Sequence, residues 1–231
     1  MCDEQKNHPA VRSASEINIQ FTEESKALDS QDAEKIRKTV VKHGGDYGGK
    51  CFIEKSGLPR LLCTDAKGAN RVYINAAPKD KFQDGDKRYI NVTAVQKEIG
   101  DRIQQPRDAY MHERLKYSDQ CLRDYRDNPT VAQDRHIEES MIRRDLPKLK
   151  SRKIAVEGIT ACQYTGESLE KNAAAHHRIR KSDDPSLALD LNNVDIINPK
   201  PHKKVHDEGA ESPDELRALC EKESWNFPER S

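Results

Sequence analysis

Aromatic and other hydrophobic residues are scarce in this sequence. Of its 231 residues only 34% are hydrophobic and 5% aromatic, whereas 35% are charged. A chain with so little apolar material can build only a modest core, and its most polar parts cannot bury enough surface to fold. The length fits one or two domains. We therefore expect a compact domain with appendages, and residues 1–30 to be mostly disordered, apart from a possible short strand at EINIQF.

Long hydrophobic runs are missing as well. No segment approaches the about 18 consecutive apolar residues that a membrane helix needs. The start of the chain, MCDEQKNHPAV, lacks the apolar core of a signal peptide. We therefore expect no membrane segment and synthesis as a soluble cytoplasmic chain.

The cysteines form no CxxC pair, and they are scattered along the chain. This distribution indicates neither a zinc ribbon nor a compact disulfide framework, and it predicts reduced thiols. The six residues are Cys2, Cys51, Cys63, Cys121, Cys162 and Cys220.

An excess of positive charge is also absent. Forty Lys and Arg residues balance forty Asp and Glu residues, so the chain as a whole lacks the strongly basic character of many nucleic-acid-binding proteins. Basic residues still crowd one stretch near the C-terminus, and an acidic stretch after it largely offsets them. The basic residues are Arg178, Arg180, Lys181, Lys200, Lys203 and Lys204, and the acidic ones are Asp207, Glu208, Glu211, Asp214 and Glu215.

The chain after the polar N-terminus predicts a helix followed by a sheet. SQDAEKIRKTVVKHGG is a helix pattern, because Ser30 can cap its first turn and Gly44 and Gly45 can end it. From Cys51 to Asn91 the apolar runs CFI, PRLLC, RVYI and RYINV alternate with turn residues. Short apolar runs separated by turn residues are typical of a small antiparallel sheet.

Three further helices are predicted next. Thr93 starts the first, through AVQKEIGDRI, and Pro106 starts a longer, charged helix that continues to Tyr125. VAQDRHIEESMIRRDL forms the third, which ends near Pro147.

The basic stretch LPKLKSRK is typical of a linker. We therefore place a domain boundary near Lys150. It separates an α+β region of unknown role at residues 31–150 from a second domain at residues 151–231.

The segment from Ala175 to His206 is the richest in metal-ligand side chains. It reads AHHRIRKSDDPSLALDLNNVDIINPKPHKKVH. His202 and His206 are four residues apart, so on a helix their rings lie on the same side. Pro201 fits the first turn of that helix. Because imidazole is a preferred ligand of zinc and other late divalent metals, the helix is predicted to present two ligands on one face.

The adjacent pair His176 and His177 precedes this helix. In an extended segment neighbouring side chains point to opposite faces, so only one of the two easily joins the same metal. If His176 is the third ligand, His177 stays uncoordinated nearby, and imidazole suits a general base at neutral pH. The side-chain amide of Asn193 can tie the intervening loop to the first strand and hold His177 in position.

The order and spacing of these residues resemble those of the HNH, or ββα-metal, nucleases. In that family a doubled histidine ends the first strand, an asparagine precedes the second, and two histidines four apart lie on the helix. The residues in those places here are His176, His177, Asn193, His202 and His206. Within the family the chain is most similar to the DNase domains of colicins and pyocins and to the AHH-type toxin nucleases. The resemblance covers roughly residues 162–206.

The resemblance implies an α+β fold with a C-terminal ββα-metal (HNH) motif beside an N-terminal small-sheet and helical region. It implies a metal-dependent endonuclease that hydrolyses DNA with little sequence specificity and leaves 5′-phosphate and 3′-hydroxyl ends; RNA is not excluded as a substrate. One divalent ion (Zn, Mg, Mn or Ni) would bind to His176, His202 and His206. His177 would deprotonate the attacking water, and Asn193 would orient the loop.

The resemblance also implies partners. Arg178, Arg180, Lys203 and Lys204 would hold phosphates without reading bases. If the chain is an antibacterial toxin, it would also meet an immunity protein or a secretion-system loading partner, and it would enter target cells without a signal peptide.

The sequence departs from the family pattern in two places. Ala174 stands where the bacteriocin DNases carry an acidic residue. CQYTGESL is similar to the turn that precedes the doubled histidine in many HNH proteins, but Cys162 lacks a CxxC partner, and Asn198 and Pro201 occupy the place of a second CxxC. We therefore expect the structural zinc of those relatives to be absent.

Two alternatives stay open. One is a catalytically inactive ββα-metal module that binds nucleic acid or protein. The other is a phage or housekeeping nuclease in place of a toxin.

Overall fold

The computed structural model of the protein describes residues 11–229. The chain divides into two compact units, the N-terminal unit (Met1–Glu138) and the C-terminal unit (Glu139–Ser231). The division falls somewhat before the boundary predicted near Lys150. Helices and short antiparallel strands occur together, so the fold is of the mixed α+β class that the sequence indicates.

The N-terminal unit contains a five-stranded antiparallel sheet. Aromatic side chains cover part of it, with the rings of Phe82 and Tyr89 stacked at a centroid distance of 4.9 Å. The strands are β1 (Arg12–Ser13), β2 (Gly44–Tyr47), β3 (Lys50–Glu54), β4 (Lys81–Asp84) and β5 (Lys87–Asn91). Their order across the sheet is β1-β2-β3-β5-β4. The predicted strands at CFI and RYINV are thereby confirmed.

Helices supply most of the core of this unit. Each buries one apolar side, such as Ala33, Ile36 and Val40 on the first of them. The helices are α1 (Ser30–His43), α2 (Leu58–Leu61), α3 (Ala66–Asn75), α4 (Val92–Ile103), α5 (Ala109–Arg126) and α6 (Pro129–Asp145), the last of which continues across the division between the units.

The helix caps differ from those predicted. Asp29, not Ser30, caps α1, because its carboxylate accepts the backbone N–H groups of Gln31 and Asp32 at 2.9 and 3.1 Å. Asp108 caps α5 in the same way, so that helix begins after Pro106 and not at it. Each shift moves a helix start by no more than a turn.

Two of the predicted strands are helices instead. The first three residues of PRLLC lie in α2 and the last two in the turn after it, and Pro59 fits the first turn because that position needs no N–H donor. RVYI belongs to α3, whose first turn is capped by Asp65 through a 2.7 Å bond from the Gly68 N–H. A short apolar run fits a strand and a buried helical segment equally well. Here the residues at the helix starts, Pro59 and Asp65, favour the helices.

The polar N-terminal segment is more ordered than the sequence predicts over residues 11–30. Ala14, Ile17 and Leu28 are buried in the main core of the N-terminal unit. The short strand considered at EINIQF is not formed, because Ile17 ends a short 3-10 helix (Ala14–Glu16) and β1 lies earlier, at Arg12–Ser13. Ala14 and Leu28 lie in no regular hydrophobic period, so the pattern did not indicate their burial. The predicted disorder of residues 1–10 concerns a segment outside the described residues.

The C-terminal unit places a two-stranded antiparallel sheet among helices. Its elements are α7 (Leu149–Glu157), β6 (Ala174–His177), β7 (Val194–Ile197), α8 (Pro199–Asp207) and α9 (Pro213–Lys222). LPKLKSRK is thus not a linker, because most of it lies in α7, where the buried Lys153 donates a 2.7 Å hydrogen bond to the Leu191 carbonyl. β6, β7 and α8 follow one another as strand, strand and helix.

β7 is buried on both of its faces. Val194 and Ile196 belong to an apolar cluster with Leu149 of α7, whereas Ile197 belongs to a second cluster with Val205 of α8. The strand therefore fixes the position of β6 and α8 within one packed unit. None of the helices within residues 11–229 has the length and apolar character needed to cross a membrane.

Candidate metal centre

β6 and α8 bring three histidines together. His176 lies in β6, while His202 and His206 lie one turn apart on α8, which starts at Pro199. One ring nitrogen from each of the three lies within 4.8 Å of the others. The Nε2 atoms of His202 and His206 are 3.2 Å apart. We call these three residues the histidine triad.

The triad fits a bound divalent ion. Nε2 of His176 is buried and has no hydrogen-bond partner among the described residues, which is costly for a polar atom unless something else satisfies it. Three imidazole nitrogens that converge on one point, with a position left for water or substrate, are the donor set of catalytic zinc and related late-metal sites. The arrangement could therefore hold one ion.

Burial favours the metal-binding form of two triad members, His176 and His202. Burial, together with the charges of the neighbouring His202 and His206, lowers the pKa of His176 to about 4. Burial also lowers the pKa of His202, again with a contribution from His206. Only the neutral imidazole has a free lone pair for a metal, so these ligands need not lose protons at neutral pH.

The lowered pKa of His176 predicts an acid-sensitive fold in the metal-free protein. The unfolded imidazole gains its proton near pH 6.5, whereas the folded one does so only at about pH 4. Between these values the unfolded state binds more protons, so the free energy of unfolding should fall as the pH is lowered through this range. Urea unfolding with a chelator, at about pH 7 and about pH 5, measures the decrease. His176→Gln should remove much of it, and an unchanged pH dependence in this variant would contradict the assignment.

The ring of His177 is hydrogen-bonded to the loop between β6 and β7. Its Nε2 lies 2.9 Å from the carbonyl oxygen of Ala188. Because a carbonyl only accepts, Nε2 carries the proton of the neutral ring, and Nδ1 is left with its lone pair. The residue can therefore accept a proton at Nδ1 while the backbone fixes its ring orientation.

The side-chain amide of Asn193 binds the backbone of Ile179, two residues after β6. Its Oδ1 accepts the N–H of Ile179 at 2.9 Å, and its Nδ2 donates to the Ile179 carbonyl at 2.9 Å. Nδ2 also lies 3.3 Å from the Leu187 carbonyl, next to the residue that holds His177. The buried amide thus closes both ends of the loop that orients the His177 ring.

Arg178 does not lie where a phosphate could reach it, contrary to the sequence prediction. It is only 7% exposed, and its guanidinium makes two hydrogen bonds to Asp195, at 2.7 and 2.9 Å. It also donates to the Pro228 carbonyl at 2.6 Å and lies over the ring of Phe227, 4.4 Å from the centroid. Arg178 is therefore a structural link between the strands and the C-terminal tail.

Of the other three predicted phosphate ligands, Arg180 and Lys203 are exposed and Lys204 is partly buried, and all three are paired with acids. Arg180 forms ion pairs with Asp183 and Glu211 at 2.9 and 2.7 Å. On α8, Lys203 pairs with Asp207 and Lys204 with Glu208. Exposed pairs of this kind contribute little stability, so a phosphate could replace the carboxylates at small cost.

The turn at Cys162 is held by hydrogen bonds. Its Sγ accepts the backbone N–H groups of Thr165 and Asn198, at 3.5 and 3.3 Å. The side chain of Asn198 accepts the Glu170 N–H at 3.0 Å and donates to the Ser168 carbonyl at 3.1 Å. Cys162 and Asn198 therefore connect this turn to the start of α8.

Asp195 is the residue of this site that sequence reasoning missed. It is fully buried and lies opposite His176 in the β6–β7 pairing, and Tyr164 donates its hydroxyl to it at 3.2 Å. A carboxylate within the apolar run VDII is the signal that could have identified it, because buried acids are rare unless paired.

Compared with known proteins, the chain matches no family model, no curated protein and no solved structure. Its function must therefore be inferred from the geometry of the C-terminal unit.

Proposed function

We propose that the protein is a metal-dependent endonuclease of the HNH type, which hydrolyses phosphodiester bonds of DNA with little sequence specificity. The observation that carries the proposal is the convergence of the histidine triad from a strand and a helix, with His177 adjacent to one of its members. β6, β7 and α8 would then form the ββα-metal motif.

His177 would act as the general base. A phosphodiester repels nucleophiles, so its hydrolysis needs an activated water and stabilisation of the charge that develops at phosphorus. Nδ1 of His177 would take the proton from the water, while the bond of Nε2 to the Ala188 carbonyl stabilises the protonated ring. Asn193 donates to the neighbouring Leu187 carbonyl, and it would thereby fix the loop that carries the Ala188 carbonyl.

His176, His202 and His206 would hold one divalent ion, whose positive charge would offset that of the phosphate and of the departing 3′ oxygen. Zn, Mg, Mn and Ni are the candidates, and the all-imidazole donor set favours the late metals over Mg.

Arg180, Lys203 and Lys204 would contact neighbouring phosphates. Contacts to the backbone position a nucleic acid but do not read its sequence, so little sequence specificity is expected. RNA offers the same phosphates and is the second substrate to test. Arg178 is no longer a candidate, because it is buried against Asp195.

The direct test is the cleavage of supercoiled plasmid by purified protein, with each candidate metal and with a chelator. We expect nicking that requires metal, with 5′-phosphate and 3′-hydroxyl ends. A well-folded, metal-loaded protein that cleaves neither DNA nor RNA would overturn the nuclease and favour a metal-stabilised binding module. The pairing of the exposed cations with acids is the observation that favours this second candidate.

Removal of one triad member should weaken metal binding and cleavage together. His206→Ala deletes a direct ligand. Loss of a residue that only hydrogen-bonds a metal ligand already lowers metal affinity by about 10- to 100-fold. We therefore expect metal affinity to fall by at least about 100-fold, and cleavage at limiting metal to fall with it. Calorimetric titration measures the affinity, with Lys203→Ala on the same helix as control. Equal affinities in the two variants would contradict the ligand role.

A role as an antibacterial toxin is part of the same proposal. Expression of the wild-type chain should then be toxic to the producing host, and expression of His177→Ala should not. Co-purification with an immunity protein or a secretion-system loading partner would support this role, whereas harmless expression of an active enzyme would favour a phage or housekeeping nuclease.

A further inference from the structure

The N-terminal unit contains an open polar cleft with a volume of about 630 Å³. Its walls come from α1, α2, the α2–α3 connection and α5, and they include Arg60, Cys63, Thr64 and Arg114. A cleft of this size accommodates a small molecule. All of its residues lie within one unit, and none of them belongs to the histidine triad.

Arg60 and Arg114 line this cleft beside Cys63, and the charges of two further arginines, Arg102 and Arg107, also act on its thiol. Burial raises the pKa of Cys63, while the positive charges of the arginines act in the opposite direction. Two of the four are also anchored close by, since Arg102 donates to the Leu62 carbonyl at 3.0 Å and Arg107 donates to the Arg102 carbonyl at 3.1 Å. The arginine cluster consists of Arg60, Arg102, Arg107 and Arg114.

Carboxylates neutralise only part of the arginine cluster. Arg102 forms a 2.7 Å ion pair with Glu98. The guanidinium of Arg107 donates only to uncharged acceptors, and that of Arg60 has no hydrogen bond or ion pair within residues 11–229. Arg60 and Arg107 thus have no carboxylate partner among the described residues.

Arg114, like Arg60, has a guanidinium nitrogen without an acceptor. Its Nε is buried and makes no hydrogen bond to any described residue, and its ion pair with Asp32 is long, at 3.8 Å. A buried donor without an acceptor is costly. The acidic residue of the cleft lining, Asp65, does not satisfy the arginines, because its carboxylate caps α3.

We propose that this cleft binds a small molecule that carries a diphosphate group. The planar guanidinium fork matches phosphate oxygens, and a diphosphate offers enough of them for Arg60 and Arg114 at once. The remaining volume would accommodate the rest of the ligand. The proposal is independent of the nuclease activity, because it involves neither metal nor the C-terminal unit.

Calorimetric titration of the full-length, metal-free protein with inorganic pyrophosphate tests the proposal. We expect saturable binding that Arg60→Gln weakens about tenfold, the effect of losing one hydrogen bond to a charged group. Arg152→Gln is the matched control, because it removes the same charge from an exposed arginine on α7 that has no ion pair with any described residue, and it should leave the affinity unchanged. Arg60 is exposed, so its replacement should not impair folding.

Three results would overturn the proposal. The first is the absence of saturable pyrophosphate binding. The second is an equal affinity in Arg60→Gln and Arg152→Gln, since ligand held at the histidine triad or by net charge alone would not depend on Arg60. The third is binding of a single-stranded oligonucleotide, but not pyrophosphate, that depends on Arg60, because the cleft would then be part of a nucleic-acid surface.

Discussion

His177→Ala is expected to lower the rate of plasmid cleavage by about 10²- to 10⁴-fold, the contribution of a well-placed general base, while metal affinity stays unchanged. The physical reason is the division of roles between two neighbouring side chains. His176 contributes a ring nitrogen to the triad, whereas the ring of His177 is bonded through Nε2 to Ala188 and leaves only Nδ1 free. Single-turnover cleavage at saturating metal, together with calorimetric metal titration, separates chemistry from metal binding.

His112 provides a matched control for this substitution. Its Nε2 also lies near a backbone carbonyl, that of Gln105 at 3.3 Å, so His112→Ala removes a comparable contact from the N-terminal unit. We expect full cleavage by this variant. Loss of metal binding in His177→Ala, with an unchanged melting temperature, would show that the roles of His176 and His177 have been assigned wrongly.

Arg178→Ala is expected to lower the free energy of unfolding by about 3–5 kcal/mol, the usual cost of leaving one member of a buried ion pair without its partner. Asp195 is fully buried, and Arg178 supplies two of its hydrogen bonds. The substitution also frees the Pro228 carbonyl and the face of Phe227, so the C-terminal tail loses an anchor. Urea unfolding at neutral pH measures the loss.

Two variants make this second prediction specific. Arg180→Ala removes an exposed arginine whose ion pairs contribute little, and it should change stability by less than about 1 kcal/mol. The double substitution Arg178→Met with Asp195→Leu replaces both charges by apolar groups and should recover much of the loss. A single Arg178→Ala variant as stable as Arg180→Ala would refute the buried-pair account.

The candidate site was more predictable than the fold around it. Spacing alone placed His202 and His206 on one helical face, because helical periodicity is local. The same holds for the doubled histidine on an extended strand. That His176 joins them depends on the pairing of β6 with β7 and on the packing of α8, which the sequence order indicates only through the family resemblance.

The sequence predictions that proved wrong, at PRLLC, RVYI and Arg178, also have physical causes. PRLLC and RVYI are short apolar runs, and burial of a helical side produces the same pattern as a buried strand. Arg178 looked like a phosphate ligand because its neighbours are basic, but its partner Asp195 is 17 residues away along the chain. Long-range ion pairs of this kind leave no local signal, so exposure cannot be deduced from charge alone.

The hydrogen-bonded turn at Cys162 and Asn198 has a consequence for how metal and folding are coupled. Where a zinc ion crosslinks such a turn, a chelator removes a structural support together with any catalytic ion. Here the thiol and amide already make that crosslink, so the chain should keep its tertiary structure when it is stripped of metal and regain activity on reconstitution. For the proposed nuclease, metal supply would then be a reversible switch on a preformed scaffold, with one equivalent of ion per chain.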